Sequence, residues 1–122
     1  MTIQEILIKN NINFDLIVKE KGNMIFKVGE LKILVNLNQG NIFKLSRKNF
    51  DVLASDGGKF ALWLIDSKEN KHYYLKFINK NNWLTNSFVS SSKSELNLGK
   101  EVLKKNAKIS VIMEDLALFN KK

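Results

Sequence analysis

Residues 31–65 read LKILVNLNQGNIFKLSRKNFDVLASDGGKFALWLI, and this stretch decides the fold. Residues 31–37 are rich in Leu and β-branched side chains, which is typical of a strand. Residues 46–54 have helical spacing and are followed by two glycines, which end the helix. Residues 60–65 are apolar at every position, which is typical of a strand covered on both faces. A strand connected by a helix to a doubly covered strand indicates an α/β core with parallel pairing.

The sequence before this stretch predicts a short helix and two further strands. Thr2 and Glu5 have the spacing of a capping box for a helix over residues 3–9. Strands are expected at residues 14–18 and 24–28, and glycine-containing turns of the kind found in tight hairpins follow them. Together with the first strand of the quoted stretch they form a three-strand meander.

The sequence after the quoted stretch predicts one more strand and a loop. Apolar and polar side chains alternate over residues 72–78, which is typical of a half-exposed strand. His72, the single histidine of the chain, is expected to be an exposed residue of this strand. One histidine excludes a His-rich metal site and argues against a Ser-His nucleophile. Residues 79–93 are polar and serine-rich and are expected to form a loop.

The last part of the sequence predicts helices. Ser92 and Glu95 fit a capping box for a helix that extends to about Lys105, and residues 109–119 also have helical spacing. We therefore predict a single α/β (α+β) domain with a mixed central sheet, in the order helix-strand-strand-strand-helix-strand-strand, followed by one or two C-terminal helices. Its expected parts are a core (1–78), a polar loop (79–93) and a C-terminal helical part (94–122).

Composition restricts the class of protein. The 122 residues contain no cysteine, which excludes disulfides and thiolate metal sites. The net charge is +8, from 20 basic and 12 acidic residues, and this balance favours a polyanion such as nucleic acid as the partner. The abundance of Lys, Asn and Ile also fits an AT-rich genome. The sequence begins without a basic segment followed by a long apolar run, so we expect an intracellular, cytoplasmic protein without a membrane span.

Two groups of basic residues are candidates for nucleic-acid binding. One group combines lysines with aromatic side chains, which can contact phosphates and stack on bases. The other lies where the central helix begins, and a helix N-terminus adds to anion attraction. The alternative for both groups is an ordinary solvated surface. The first group is Tyr74, Lys76, Lys80, Trp83, Lys93, Lys100, Lys104 and Lys105, and the second is Lys44, Arg47 and Lys48.

The order of elements in residues 3–78 resembles the core of the PD-(D/E)XK nuclease superfamily, in particular its small Holliday-junction-resolvase and restriction-nuclease-like members. The resemblance depends on element order and on residues 32–77. Enzymes of this family place an Asp and a Glu-x-Lys on adjacent strands. The carboxylates hold Mg²⁺, which stabilises charge at the scissile phosphate and activates the attacking water. The Lys helps to position that water.

One alignment with this family follows the order of the elements. It places Leu34 at the Glu position, Asn36 at the Lys position, and Asn23 or Met24 near the Asp position. Leu cannot hold a hard cation, and Asn cannot replace an ammonium group. This alignment, which we favour, implies that the catalytic groups are missing.

A second alignment follows the literal motif. Asp15, Glu30 and Lys32 give Asp-x14-Glu-x-Lys, with Glu5 on the first helix as the acidic residue that often assists. Glu30 and Lys32 are two positions apart, so they would share one face of a strand. Glu30, however, follows Gly29 in an expected turn. This alignment implies an endonuclease with Mg²⁺ as its cofactor.

We therefore expect a non-catalytic nucleic-acid-binding protein with a nuclease-like core, an accessory factor in DNA processing that needs no cofactor. The first alternative is an Mg²⁺-dependent endonuclease that uses Asp15, Glu30 and Lys32. The second alternative is a small viral or mobile-element module whose charge binds an acidic protein. A homodimer fits the resemblance, because small enzymes of this superfamily are often dimers.

Overall fold

The computed structural model of the protein describes residues 2–20, 22–38, 42–54, 59–77, 90–91, 95–99 and 107–120. These residues form helices and strands in both halves of the chain. In chain order they are α1 (Ile3–Lys9), β1 (Asp15–Glu20), β2 (Asn23–Val28), β3 (Leu31–Asn38), β4 (Ile42–Ser46), α2 (Arg47–Ala54), β5 (Phe60–Asp66), β6 (Lys71–Phe77), β7 (Ser90–Ser91), β8 (Glu95–Gly99) and α3 (Ile109–Phe119).

Five strands form a mixed sheet in the order β1-β2-β3-β5-β6. β3 and β5 are parallel, whereas the other neighbouring pairs are antiparallel. Every residue of β5 is buried, because the strand lies between β3 and β6 and both of its faces are covered. The all-apolar run at residues 60–65 is thus an interior strand, and Trp63 within it is fully buried. The predicted mixed sheet of an α+β protein is confirmed.

Helices cover both faces of this sheet. α1 and α3 pack on one face, where Leu7, Ile112 and Leu116 contact a cluster that contains Trp63. α2 packs on the opposite face, where Leu53 contacts residues of β3 and β5. Alternation along each strand sends successive side chains to opposite faces, so a strand without polar interruptions supplies both cores.

A local sequence signal explains where α1 begins. The Thr2 hydroxyl accepts a hydrogen bond from the Glu5 backbone N–H at 3.1 Å, and Glu5 Oε1 accepts one from the Thr2 N–H at 2.9 Å. These are the two bonds of a capping box, and they satisfy N–H groups that a helix start otherwise leaves without partners. The predicted helix and its cap are confirmed.

Residues 95–99 correct the prediction for the C-terminal part. A helix was expected there, but the structure has strand β8, which pairs with β4 and β7 in a second, three-stranded sheet. Leu96 and Leu98 alternate with polar residues, and they lie opposite Leu45 and Phe43 of β4. This period of two favours a strand once a partner strand is present. The second predicted C-terminal helix, α3, is confirmed over Ile109–Phe119.

Candidate functional site

The residues of the favoured alignment lie on two neighbouring strands. The pairing of β2 with β3 places Asn23 opposite Asn36 and Ile25 opposite Leu34. Positions 34 and 36 share one face of β3, so the three residues that this alignment compares with the family's Asp, Glu and Lys lie near one another. The residues there are two amides and an apolar side chain.

A neutral amide pair fills this position. Asn36 Nδ2 donates a hydrogen bond to Asn23 Oδ1 at 2.6 Å, and the Asn36 side chain is 4% exposed. Leu34 is fully buried in the cluster beneath α2. The arrangement joins two neighbouring strands of the sheet, and its two amides and one apolar side chain offer no carboxylate to a hard cation.

The residues of the literal motif have three different surroundings. Glu30 lies in the turn between β2 and β3, where its Oε1 is 2.9 Å from Lys59 Nζ. Lys32 Nζ donates to the Val52 carbonyl oxygen at 3.2 Å, which directs it towards α2. Asp15 is exposed at the start of β1, opposite Lys27, which in turn lies opposite Lys32.

The sheet geometry separates Asp15 from Lys32. Two strand spacings lie between them, which is about 10 Å between backbones. Within the part of the chain that the structure describes, no group of three or more His, Asp or Glu side chains could hold a metal ion.

Tyr74 and Lys76, both candidates for nucleic-acid binding, are engaged within the protein. The Tyr74 hydroxyl donates to Asp115 Oδ2 at 2.5 Å, and Lys76 Nζ donates to Asp115 Oδ1 at 2.6 Å. Burial raises the pKa of Tyr74, and the hydrogen bond to Asp115 raises it further. Lys76 Nζ also lies 5.6 Å from the centroid of the Phe119 ring. These contacts attach α3 to β6.

The remaining basic candidates are distributed unevenly. Lys48 is an exposed residue of α2, Arg47 is the first residue of that helix, and Lys44 lies in β4 opposite Asn97. The rest of the candidates lie outside the described residues. These are Lys80, Trp83, Lys93, Lys100, Lys104 and Lys105.

A cleft that sequence reasoning missed opens between α1 and α3. Its volume is about 760 Å³, which is within the range of ligand pockets in proteins. Leu37 and Ile65, near the carboxyl ends of the parallel strands β3 and β5, line it together with His72. One indication of this cleft was present in the sequence: Leu37, Ile65 and His72 each fall near an end of a predicted strand.

His72 is held in one orientation at this cleft. Trp63 Nε1 donates a hydrogen bond to His72 Nδ1 at 3.0 Å. Burial lowers the pKa of His72, so the ring is neutral at pH 7 and carries its proton on Nε2. The expectation that His72 is simply an exposed strand residue is therefore wrong, since its side chain is half-buried and bonded to a core tryptophan.

The fold defines an α+β protein with a mixed five-stranded sheet and a smaller second sheet. Comparisons of the chain with protein-family models, with curated proteins and with solved structures found no match. None of the helices among the described residues combines the length and the apolar content needed to cross a membrane.

Proposed function

We propose that this chain is a non-catalytic nucleic-acid-binding protein with a nuclease-like core, acting as an accessory factor in DNA processing. The observation that carries the proposal is the neutral pair of Asn23 and Asn36 beside Leu34, where the resembled family keeps its charged catalytic groups. A nuclease-like core of this kind can keep a surface that binds nucleic acid. Without the carboxylates and the lysine it does not cleave the phosphodiester bond.

Charge supports a polyanionic partner. The net charge of the chain is +8. Residues 78–108 contribute six lysines against two glutamates, and this segment also contains Trp83. Lysines neutralise phosphates and release counterions, and an aromatic ring stacks on unpaired bases. Because Tyr74 and Lys76 are engaged with Asp115, the proposed contacts are those of the segment and of Lys48 near the start of α2.

Fluorescence anisotropy with labelled single-stranded, duplex and four-way-junction DNA and with RNA tests binding. We expect association at low salt and a steep, linear decrease of log K with log salt. Lys80→Ala and Lys104→Ala should weaken binding of all forms alike. Trp83→Ala should cost roughly 1–3 kcal/mol on single strands or junctions and less on plain duplex. Lys68→Ala, in the turn after β5, is the control and should bind as the wild type does.

The absence of association with any nucleic acid at low ionic strength would contradict the proposal. It would favour the alternative of a module that binds an acidic protein. An acidic polymer without bases, such as heparin, separates general attraction to anions from nucleic-acid binding, because only the latter should respond to Trp83→Ala.

A cleavage assay distinguishes the proposal from the endonuclease alternative. With Mg²⁺ or Mn²⁺ present, we expect duplex, single-stranded and junction DNA to stay intact, and binding to be independent of divalent metal. Metal-dependent cutting that Asp15→Asn or Glu30→Gln abolishes in folded protein would instead establish the literal motif as the active site.

A further inference from the structure

The cleft between α1 and α3 combines an apolar floor with polar lining groups. The floor is formed by Ile3, Ile6, Leu37, Ile65, Ile109 and Met113. A smaller cavity of about 170 Å³ continues beside it and shares Thr2, Ile3 and Leu37 with it. Leu37 is 52% exposed although it lies in the sheet, so apolar surface faces solvent at this point. A concave site with a mostly apolar lining is typical of a ligand pocket.

The polar groups of the cleft favour an anionic end on a ligand. Lys9, at the end of α1, carries the one formal charge among the described residues that line the larger cavity, and that charge is positive. His72 presents a neutral ring whose Nδ1 is occupied by the Trp63 N–H, so Nε2 is the N–H donor. A carboxylate accepts hydrogen bonds from a donor of this type and is attracted to the ammonium group.

The placement of His72 is fixed by the sheet. Its register opposite Ile65 puts both side chains on the face that α1 and α3 cover. The Ala107 N–H donates to the His72 carbonyl oxygen at 2.7 Å, which holds the segment before α3 against β6. A donor held in this way from two sides loses little conformational entropy when it binds a ligand.

We propose that this cleft is a binding site for a small anionic amphiphile, an apolar molecule with a single carboxylate. The apolar body lies on the floor between α1 and α3, and the carboxylate lies at Lys9 and His72. This inference is independent of nucleic-acid binding, since it involves none of the basic residues assigned to that function.

Isothermal titration calorimetry with dodecanoate, kept below its micellar concentration, tests the site. We expect saturable binding of one molecule per chain. Dodecyltrimethylammonium has the same chain length and the opposite charge, and it should bind more weakly. Equal affinity for the two amphiphiles, or no saturable binding of dodecanoate by folded protein, would overturn the proposal.

Two surface variants locate the site. Lys9→Gln should weaken dodecanoate binding roughly two- to fivefold, the range of an exposed ion pair. Leu37→Trp should weaken it more than about tenfold, because a larger side chain at a half-exposed position fills the cleft. Lys68→Gln removes the same charge at an exposed position that does not line the cleft and should bind as the wild type does.

Circular dichroism confirms that each variant is folded before its affinity is compared. Unchanged binding in Leu37→Trp, or an equal loss in Lys9→Gln and Lys68→Gln, would show that dodecanoate binds elsewhere through general charge, and would overturn the proposal.

Discussion

Gly29 is the residue at which the turn between β2 and β3 meets the end of α3. Its φ is +58°, a backbone conformation that favours glycine. A Cβ atom at this position would overlap the Phe119 carbonyl oxygen, which belongs to the helix backbone. The close approach of turn and helix therefore requires a residue without a side chain.

Gly29→Ala should lower the free energy of unfolding by roughly 3 kcal/mol or more, because it adds a backbone clash to the cost of a left-handed conformation. Gly22→Ala is the matched control. Gly22 has φ +80°, but the nearest atom to its Cβ would be the Leu37 carbonyl oxygen at 3.8 Å. This control should cost about 1–2 kcal/mol. Urea denaturation of both variants measures the difference, and equal losses would contradict the role of Phe119.

The burial of His72 makes stability depend on pH. Burial lowers the pKa of His72 in the folded protein, so the unfolded chain binds a proton at higher pH than the folded one does. The contribution of the neutral ring is fully present above the unfolded pKa of about 6.5, and it is lost as pH falls through the folded value.

His72→Gln isolates this dependence. The Gln oxygen can still accept the Trp63 N–H, but it cannot be protonated. Between pH 7 and pH 5 the free energy of unfolding of the wild type should fall relative to that of the variant. Denaturant titrations at several pH values measure the difference, in which the carboxylates common to both proteins cancel. A constant difference across this range would contradict the prediction.

Helix α3 is held to the sheet by a polar contact as well as by its apolar stripe. Tyr74→Phe removes the hydrogen bond to Asp115 and should destabilise the protein by roughly 1.5–3 kcal/mol, the range for a bond to a charged group. Leu118→Ala, on the same helix, is the control, since Leu118 is 80% exposed. It should change stability by less than about 0.5 kcal/mol.

A double-mutant cycle with Asp115→Ala, which removes the acceptor oxygens, tests whether Tyr74 and Asp115 act together. We expect the loss in the double variant to be smaller than the sum of the two single losses, because either substitution alone disrupts the same bond. Additive losses would show that the Tyr74 hydroxyl stabilises the protein in another way.

Strand β5 should be the most sensitive element of the core. Leu64 is fully buried in the cluster between the sheet and α2, so Leu64→Ala should cost roughly 2–5 kcal/mol. Leu37→Ala, in the neighbouring strand β3, should cost less because its side chain is half exposed. Thermal unfolding followed by circular dichroism measures both, and a similar loss in the two variants would contradict the assignment of β5 as the central core strand.

Elements with a strong local signal were predictable from sequence, whereas elements that depend on a distant partner were not. The capping box of Thr2 and Glu5 identified α1, and the apolar run at residues 60–65 identified β5, because both signals are complete within a few residues. Residues 95–99 were expected to be helical from the capping-box spacing of Ser92 and Glu95, but they pair with β4, which is distant in the sequence, and this pairing outweighs local propensity.

At the candidate site, too, contacts between distant segments could not be predicted from the sequence. Which face of β3 carries Asn36 follows from strand alternation, but its bond to Asn23 depends on the register of β2 against β3. The engagement of Tyr74 and Lys76 with Asp115 could not be foreseen, since Asp115 lies in α3, beyond residues 78–106, and nothing in the local sequence pairs the two segments.

Hydrogen bonds connect the residues after α1 with the residue that follows α3, so the first and last described helices are linked. Asn120 Oδ1 accepts a hydrogen bond from the Asn13 N–H, and Asn120 Nδ2 donates to the Asn11 carbonyl oxygen, both at 3.0 Å. α1 and α3 therefore cover one face of the sheet together, although they are at opposite ends of the described chain.

Because α1 and α3 cover the same face from opposite ends of the described chain, the parts of the fold can form only in a certain order during synthesis. The meander of β1, β2 and β3 pairs neighbouring segments, so it can form early. β5 can complete its parallel pairing only after residue 66, and the face that contains Trp63, on which α1 also packs, receives α3 only when residues 109–119 have emerged. At about 5–20 residues per second, that interval is roughly 3–10 seconds.

During those seconds the nascent chain presents an apolar sheet face without its α3 cover to its neighbours in the polysome. We expect ribosome-bound chains that extend to residue 100 beyond the exit tunnel to bind a hydrophobic dye or a chaperone, and chains that extend to residue 120 to bind neither. Equal binding at the two lengths would show that another segment shields the sheet first. The rate of translation between the codons for residues 66 and 119 is therefore a determinant of how much of this protein reaches its folded state rather than an aggregate.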